Sequence, residues 1–412
     1  MSSKPDVSLV ARETRLVHEA HRHDEVEQKI ERVIALARQA GVHGILLSLQ
    51  PSFAWITGGR SNRIDGSRET GAGAVLVTTE GRRYIIANHT EAPRLAEEAV
   101  PGLGFEVADF PWTAERADPS FPAHTAQQIA GGTVGSDVNW PQAVHLEPAI
   151  ARLRSPLVPQ EIERYRRLGR DAGRIAEQVM RSATPGTTET QAAGALASAL
   201  AEAGIRPLVL LAAGDGRIAR YRHPLPTDLS WTNRLLLATC AERSGLVVAL
   251  SRIICTRRDD ELERRTHAAA AVFGALLNAT TASASGARLF EAAAAAYAAN
   301  GFPGEERRHH QGGAIGYRAR EWVAHPRSEE VARLPQAFAW NPTIAGTKVE
   351  ETCVIGLDGE VEILTASPHW PSIGVPAKGR SVSVPDVLVL DQRPTTNDQR
   401  PTTNDQRLTT ND

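Results

Sequence analysis

Residues 233–256 read NRLLLATCAERSGLVVALSRIICT, two apolar runs of strand length that meet at Arg243-Ser244-Gly245. Such runs joined at a Ser-Gly step predict a β-hairpin. Working outward, each side of the hairpin carries a pair of helices. Upstream, residues 155–188 (SPLVPQEIERYRRLGRDAGRIAEQVMRSATPGTT) form a long helix with Pro159 near its start and a Pro-Gly break behind it. TETQAAGALASALAEAG at 188–204 follows as a second helix, and PLVLLAAGDG at 207–216 leads back toward the hairpin as a strand. Downstream, 261–283 and 287–301 are alanine-rich helices, alanine being the best helix former. Segments 337–346, 348–359 and 361–365 close the half as antiparallel strands. Two helices, a hairpin, two helices and then strands is the order of an α+β domain with internal pseudo-symmetry.

The first half differs. HRHDEVEQKIERVIALARQAGVHG at 21–44 has Val26, Ile30, Val33 and Ile34 at helical spacing. Segments 44–58, 72–87, 106–112 and 133–141 read as strands, with helices at 91–102 and 148–154. Strands alternating with helices indicate an α/β domain. The expected division is an extension at 1–24, an N-terminal domain at 25–155, a second domain at 156–385 and a tail at 386–412. From Asp391 the tail repeats DQRPTTN and holds no apolar residue except Leu408, too little to offset chain entropy.

Composition narrows the function. The 412 residues carry 46 Lys plus Arg against 48 Asp plus Glu, a net charge of −2, so nucleic acid is not an expected partner. Three cysteines without a C-x-x-C pair exclude a disulfide framework and suit a reducing cytoplasm. No apolar run approaches the ~20 residues of a membrane span, and the polar start is not a signal peptide. A soluble cytoplasmic protein is expected.

Four segments concentrate polar groups. GDGRIARYRHPLPTD at 214–228 holds Arg217, Arg220, Arg222 and His223; a histidine after a strand, fixed by the following proline, suits general acid/base work. The competing reading is a surface loop with scattered arginines. HHQGGAIGYRAREW at 309–322 has a Gly-Gly step that demands close backbone approach, and it ends in Arg318, Arg320 and Glu321. In an extended chain His309 and His310 face opposite ways, so at most one would face a given site. WNPTIAGTKVEE at 340–351 brings Asn341, Lys348 and Glu350 onto strands joined by a turn, with Lys348 and Glu350 on one face as an ion pair. Around SNRIDGSRE at 61–69, Arg60, Arg63 and Arg68 are either solvated or able to fork a carboxylate.

AWITGG, the EIERYRRLGRDAG linker helix, GDGRIARYRHP, HHQGGAIG and GTKVEET occur in the order of the pita-bread superfamily of creatinase, prolidase and aminopeptidase P. The resemblance covers roughly Glu25 to Arg380 and implies a creatinase-type α/β domain followed by a pita-bread catalytic domain. It implies that His223 is the histidine beside the active centre, and that the protein is a homodimer in which Arg60 or Arg63 of a second copy could reach the site. In the peptidases of the superfamily two aspartates, a histidine and two glutamates hold a metal pair. The matching positions here are Ala238, Ala249, Gly313, Asn341 and Glu350, and no aspartate lies anywhere in 235–256. One carboxylate cannot offset a divalent pair.

The expected activity is therefore a metal-independent, creatinase-like hydrolysis (or lyase cleavage) of a C–N bond in a small carboxylate-bearing substrate, without cofactor. His223, His310 and Glu350 would carry the chemistry. His309, Asn341, Lys348, Arg220, Arg243, Arg320, Glu321, Arg60 and Arg63 would bind the substrate. The alternatives are an Xaa-Pro aminopeptidase or prolidase-like metallopeptidase and a silent peptide-binding protein. The last would show a site filled by apolar side chains, with His223 buried and bonded only to backbone. Cys240 reads as a small core residue rather than a nucleophile.

Overall fold

The computed structural model describes residues 7–390, with side chains from residue 21 onward. The repeats expected from Asp391 lie outside the described residues. The N-terminal domain is built on a six-stranded mixed sheet in the order β4-β3-β2-β1-β5-β6. These strands are β1 Gly44–Leu49, β2 Thr70–Thr78, β3 Arg83–Asn88, β4 Glu106–Phe110, β5 Val134–Ser136 and β6 Val144–His145. The first helix, Val7–Gln39, runs through the expected boundary at residue 24. Val26, Ile30 and Val33 on one side of that helix are buried against the sheet.

One expected strand is a helix. Residues Gln50–Ile56 turn helical directly after β1, with Pro51 in the first turn where its missing N–H costs nothing. Phe53, Trp55 and Ile56 are fully buried. A continuous apolar run does not distinguish a buried strand from a buried helix.

In the second domain β7 Arg206–Gly214, β8 Arg234–Arg243 and β9 Leu246–Cys255 form an antiparallel sheet. The hairpin turn has positive φ at both Ser244 (54°) and Gly245 (78°), as a two-residue turn matched to strand twist requires. The second sheet runs β11-β10-β12-β15-β16: β10 Gly312–Ile315, β11 Trp322–Val323, β12 Gln336–Trp340, β15 Glu351–Ile355 and β16 Val361–Ile363. The short hairpin of β13 Thr343–Ile344 and β14 Thr347–Lys348 lies between β12 and β15 in sequence. The helix Pro159–Ser182 covers the first sheet, and Asp260–Ala279 covers the second through Phe273, Leu276 and Leu277. The hairpin β17 Ser372–Ala377 and β18 Arg380–Pro385 follows. The last strand, β19 Leu388–Val389, pairs in parallel with Ile254 and Cys255 of β9. The folded domain thus runs past the expected boundary at 385.

The two sheets meet between β9 and β15. The Ala249 N–H donates to Thr352 Oγ1 at 2.7 Å, that hydroxyl donates to the Ala249 carbonyl at 2.9 Å, and the Ser251 N–H donates to the Glu350 carbonyl at 3.3 Å. The two domains are joined by buried charge. Lys29 Nζ lies 2.5 Å from Glu25, 2.7 Å from Glu161 and 2.8 Å from the Trp55 carbonyl, and Arg164 meets Glu25 at 2.5 Å. Burial works against the Glu25 charge, but Lys29 and Arg164 outweigh it and hold this carboxyl at about 2.

Candidate active site

A cavity of about 330 Å³ opens at the junction of the two sheets. Its floor is the apolar and small surface of β7 and β8, including Val209, Ala238 and Cys240; its walls are His223, His310, Arg320, Asn341, Lys348 and Glu350. The Cys240 thiol is pushed up by burial, which disfavours the thiolate a nucleophile needs.

Glu350 is the electrostatic centre. Lys348 Nζ lies 2.8 Å from its Oε2 and Arg320 Nη2 lies 3.4 Å from its Oε1. Ser251 Oγ donates a further short hydrogen bond to Oε2. Burial opposes ionisation, yet the two cations hold Glu350 at about 2. Two cations against one carboxylate leave the wall net positive. Two polar atoms there have no protein partner: the Nε of Arg320, a donor, and the Oδ1 of Asn341, an acceptor. A buried unmade hydrogen bond is costly, so this wall is complementary to a ligand that brings an anionic oxygen and an N–H.

The histidines are ordered by a chain of hydrogen bonds. The Thr343 hydroxyl donates to the Asn341 carbonyl at 2.9 Å, so its oxygen accepts from His309 Nδ1 at 3.3 Å. His309 Nε2 then carries a lone pair and faces His223 Nε2 at 3.0 Å, which makes His223 the donor and leaves its Nδ1 as a free base. Burial followed by the Lys348 charge holds His309 down at about 2, and burial followed by Arg320 holds His310 at about 4. His223, which is exposed, is also lowered by desolvation and then by Lys348. His309 and His310 are therefore neutral at neutral pH, and His223 is shifted the same way.

Both adjacent histidines approach His223, with ring centroids 4.8 Å away for His309 and 5.8 Å for His310. This corrects the expected alternation. Residues Glu305–Arg307 form a helical turn, Arg308 continues it, and strand geometry begins only at Gly312.

Of the other expected binding residues, five lie elsewhere within this chain. Glu321 forms a buried pair with Arg154 at 3.0 Å and accepts from the backbone of Tyr317 and Arg318. Arg243 pairs with Asp171 at 2.8 Å and lines, with Arg60, a separate cleft between the domains. Arg63 meets Glu242 at 3.0 Å, and exposed Arg220 stacks over Tyr221. Each is drawn off by a nearer partner or by solvent. Sequence reading missed Thr343 and Ser251. Thr343 stands two residues from Asn341, which was the available signal; nothing marked Ser251.

Residues 163–363 match the model of metallopeptidase family M24. That stretch belongs to this family, and the chain has the pita-bread fold. The fold is shared with dipeptidase PepE from Mycobacterium ulcerans at 18% identity and a TM-score of 0.69, covering 84% of this chain and 97% of that one. It is shared with the Xaa-Pro dipeptidase from Bacillus anthracis (18%, TM-score 0.65, 83% and 98% covered). The prolidase from Pyrococcus horikoshii OT3 is similar to the same degree (18%, TM-score 0.66, 82% and 98% covered). No curated protein sequence matches the chain. Among the described residues no helix is long and apolar enough to cross a membrane.

The metal pair that the pita-bread peptidases imply does not fit the residues present. Ala238 and Ala249 offer methyl groups, and both are buried. A β-carbon on Gly313 would lie 2.2 Å from the Trp322 carbonyl oxygen, so no ligand side chain has room there. Asn341 is an amide, and both oxygens of Glu350 are already engaged by Lys348, Arg320 and Ser251. These five positions do not supply the ligand set of a divalent pair.

Proposed function

We propose that the protein is a metal-independent, creatinase-like hydrolase that cleaves a C–N bond in a small carboxylate-bearing substrate. The observation that carries this reading is the oriented His309–His223 pair beside a net positive wall. His223 Nδ1 takes a proton from water as the water attacks, and returns it to the leaving nitrogen. His309 holds His223 in the required tautomer, itself fixed by Thr343. Arg320, buttressed with Lys348 by Glu350, receives the substrate carboxylate, and the Asn341 Oδ1 accepts from the substrate N–H. His310 supplies a hydrogen bond to the developing charge. A homodimer would add Arg60 or Arg63 of a second copy to the mouth of the cavity, and the composition supports a cytoplasmic setting.

The polar lining and the exposed, side-chain-bonded His223 speak against a silent binder. The test is a panel of small carboxylated amides, amidines and guanidino acids together with X-Pro dipeptides, assayed with and without a chelator. Turnover of a panel member that survives the chelator and disappears in His223→Ala supports the reading. Metal-dependent cleavage of X-Pro dipeptides alone would overturn it in favour of a prolidase-like peptidase.

A further inference from the structure

The same histidines present a chelating geometry that lies beside, not on, the positions where the pita-bread peptidases hold their ions. We propose that the gap between His223 and His309, closed by His310, is a site for one borderline transition-metal cation such as Zn²⁺, Ni²⁺ or Co²⁺, and that the bound ion switches the acid/base pair off.

The facing Nε2 atoms of His223 and His309 are 3.0 Å apart. Two imidazole nitrogens at ~2.0–2.1 Å from one ion stand about 2.9–3.4 Å apart at right-angled to tetrahedral geometry, so the spacing of these two already suits a shared ion, which a turn of the rings would admit. His310 stacks on His309 with centroids 4.5 Å apart, and each of the three residues offers a ligand atom within 4.8 Å of the others. The far nitrogen of His309 donates to Thr343, the kind of outer hydrogen bond that fixes the orientation of a metal-bound imidazole. An all-imidazole set selects zinc, nickel, cobalt or copper over magnesium and calcium, which require oxygen ligands.

The ion replaces the proton that bridges the two rings. That proton moves from Nε2 to Nδ1 of His223, so no proton is released there and the free base is used up. His310 enters through Nε2 by moving its own proton to Nδ1, giving up the 3.3 Å contact from the Gly312 N–H. Lys348 and Arg320 oppose the cation and Glu350 offsets only one of them, which favours an ion that carries an anion as its remaining ligand. The binding stands apart from the proposed activity; the inhibition rests on it.

The experiment is a Co²⁺ titration of chelator-stripped protein, followed by the visible absorption of the ion. One equivalent should bind, and His223→Ala and His310→Ala should each weaken it by more than about tenfold. His223 is exposed and His310 half-buried, and equal thermal midpoints for the three proteins would show that the fold is retained. The proposal is overturned if no cobalt binds, or if the double variant His223→Ala/His310→Ala binds it as tightly as the unaltered chain. Chelator-resistant turnover would stand in either case, so failure here and failure of the proposed function are separable. With both in place, stoichiometric Zn²⁺ should inhibit turnover reversibly and a chelator should restore it.

Discussion

Gly313 lies so close under Trp322 that a β-carbon on it would stand 2.2 Å from the Trp322 carbonyl oxygen and 2.9 Å from the Val323 α-carbon. Both contacts are backbone atoms of β11, which pairs with β10 at this point and cannot yield locally. A side chain at this position is therefore not a simple substitution. Gly313→Ala should destabilise the protein by about 1–3 kcal/mol in urea unfolding, and Gly313→His should cost more without conferring metal-dependent peptidase activity. A stable Gly313→His variant that binds two ions would show that the strand moves aside.

Thr343 acts through His309 rather than on substrate. Thr343→Val removes the acceptor that fixes the His309 Nδ1 proton, a bond of 3.3 Å. The expected result is a fall in kcat of about tenfold with KM little changed, the scale of one lost hydrogen bond. Thr343→Ser should recover most of it. A fall in Thr343→Val that serine does not rescue would mark a packing effect.

Lys29 is fully buried between two glutamates from different domains. Lys29→Ala takes the cation from Glu161 and leaves Glu25 with Arg164 alone, and about 3–5 kcal/mol of stability should be lost. Adding Glu161→Gln to that variant should return part of the loss, because the two changes share one partner. Simple additivity in a double-mutant cycle would mean the joint is not coupled.

The neutral histidines set an acid limit on stability. His310 is held at about 4 in the folded protein, below its ordinary 6.5. As pH falls through 6.5 the unfolded chain takes up this proton and the folded chain does not, so its contribution is full above pH 6.5 and is lost between 6.5 and about 4. His310→Asn removes that dependence. The stability of the unaltered chain relative to the variant should therefore fall by up to ~1.4 kcal/mol per pH unit in this window. In activity, the lowered His223 keeps its base form below the ordinary histidine range, so the acid limb of kcat/KM should lie below 6.5. A limb above 6.5 would remove His223 as the base.

Much of this was legible because it rests on short-range pattern. The hairpin at 233–256 announces itself through two apolar runs and a turn, and the Lys348–Glu350 pair follows from strand alternation alone. Alternation failed at His309 and His310, which lie in an irregular stretch between a helical turn ending at Arg307 and the strand that begins at Gly312. The Gly-Gly step at 312–313 correctly signalled close approach, although what approaches is the backbone of β11 and β12, not a ligand. The arginines were least legible. Whether Arg243 faces the cavity or Asp171 depends on a helix some seventy residues earlier, and no local pattern encodes that choice.

The pairing of β19 with the end of β9 governs the chemistry of a thiol. Cys255 is fully buried, and its carbonyl accepts the Leu390 N–H at 2.8 Å. Burial pushes the thiol up, so alkylating reagents should reach it only when this last strand peels away. The labelling rate of Cys255 is thus a clock for detachment of the C-terminal strand, readable while the rest of the molecule stays folded. A chain ended at residue 385 should label at once.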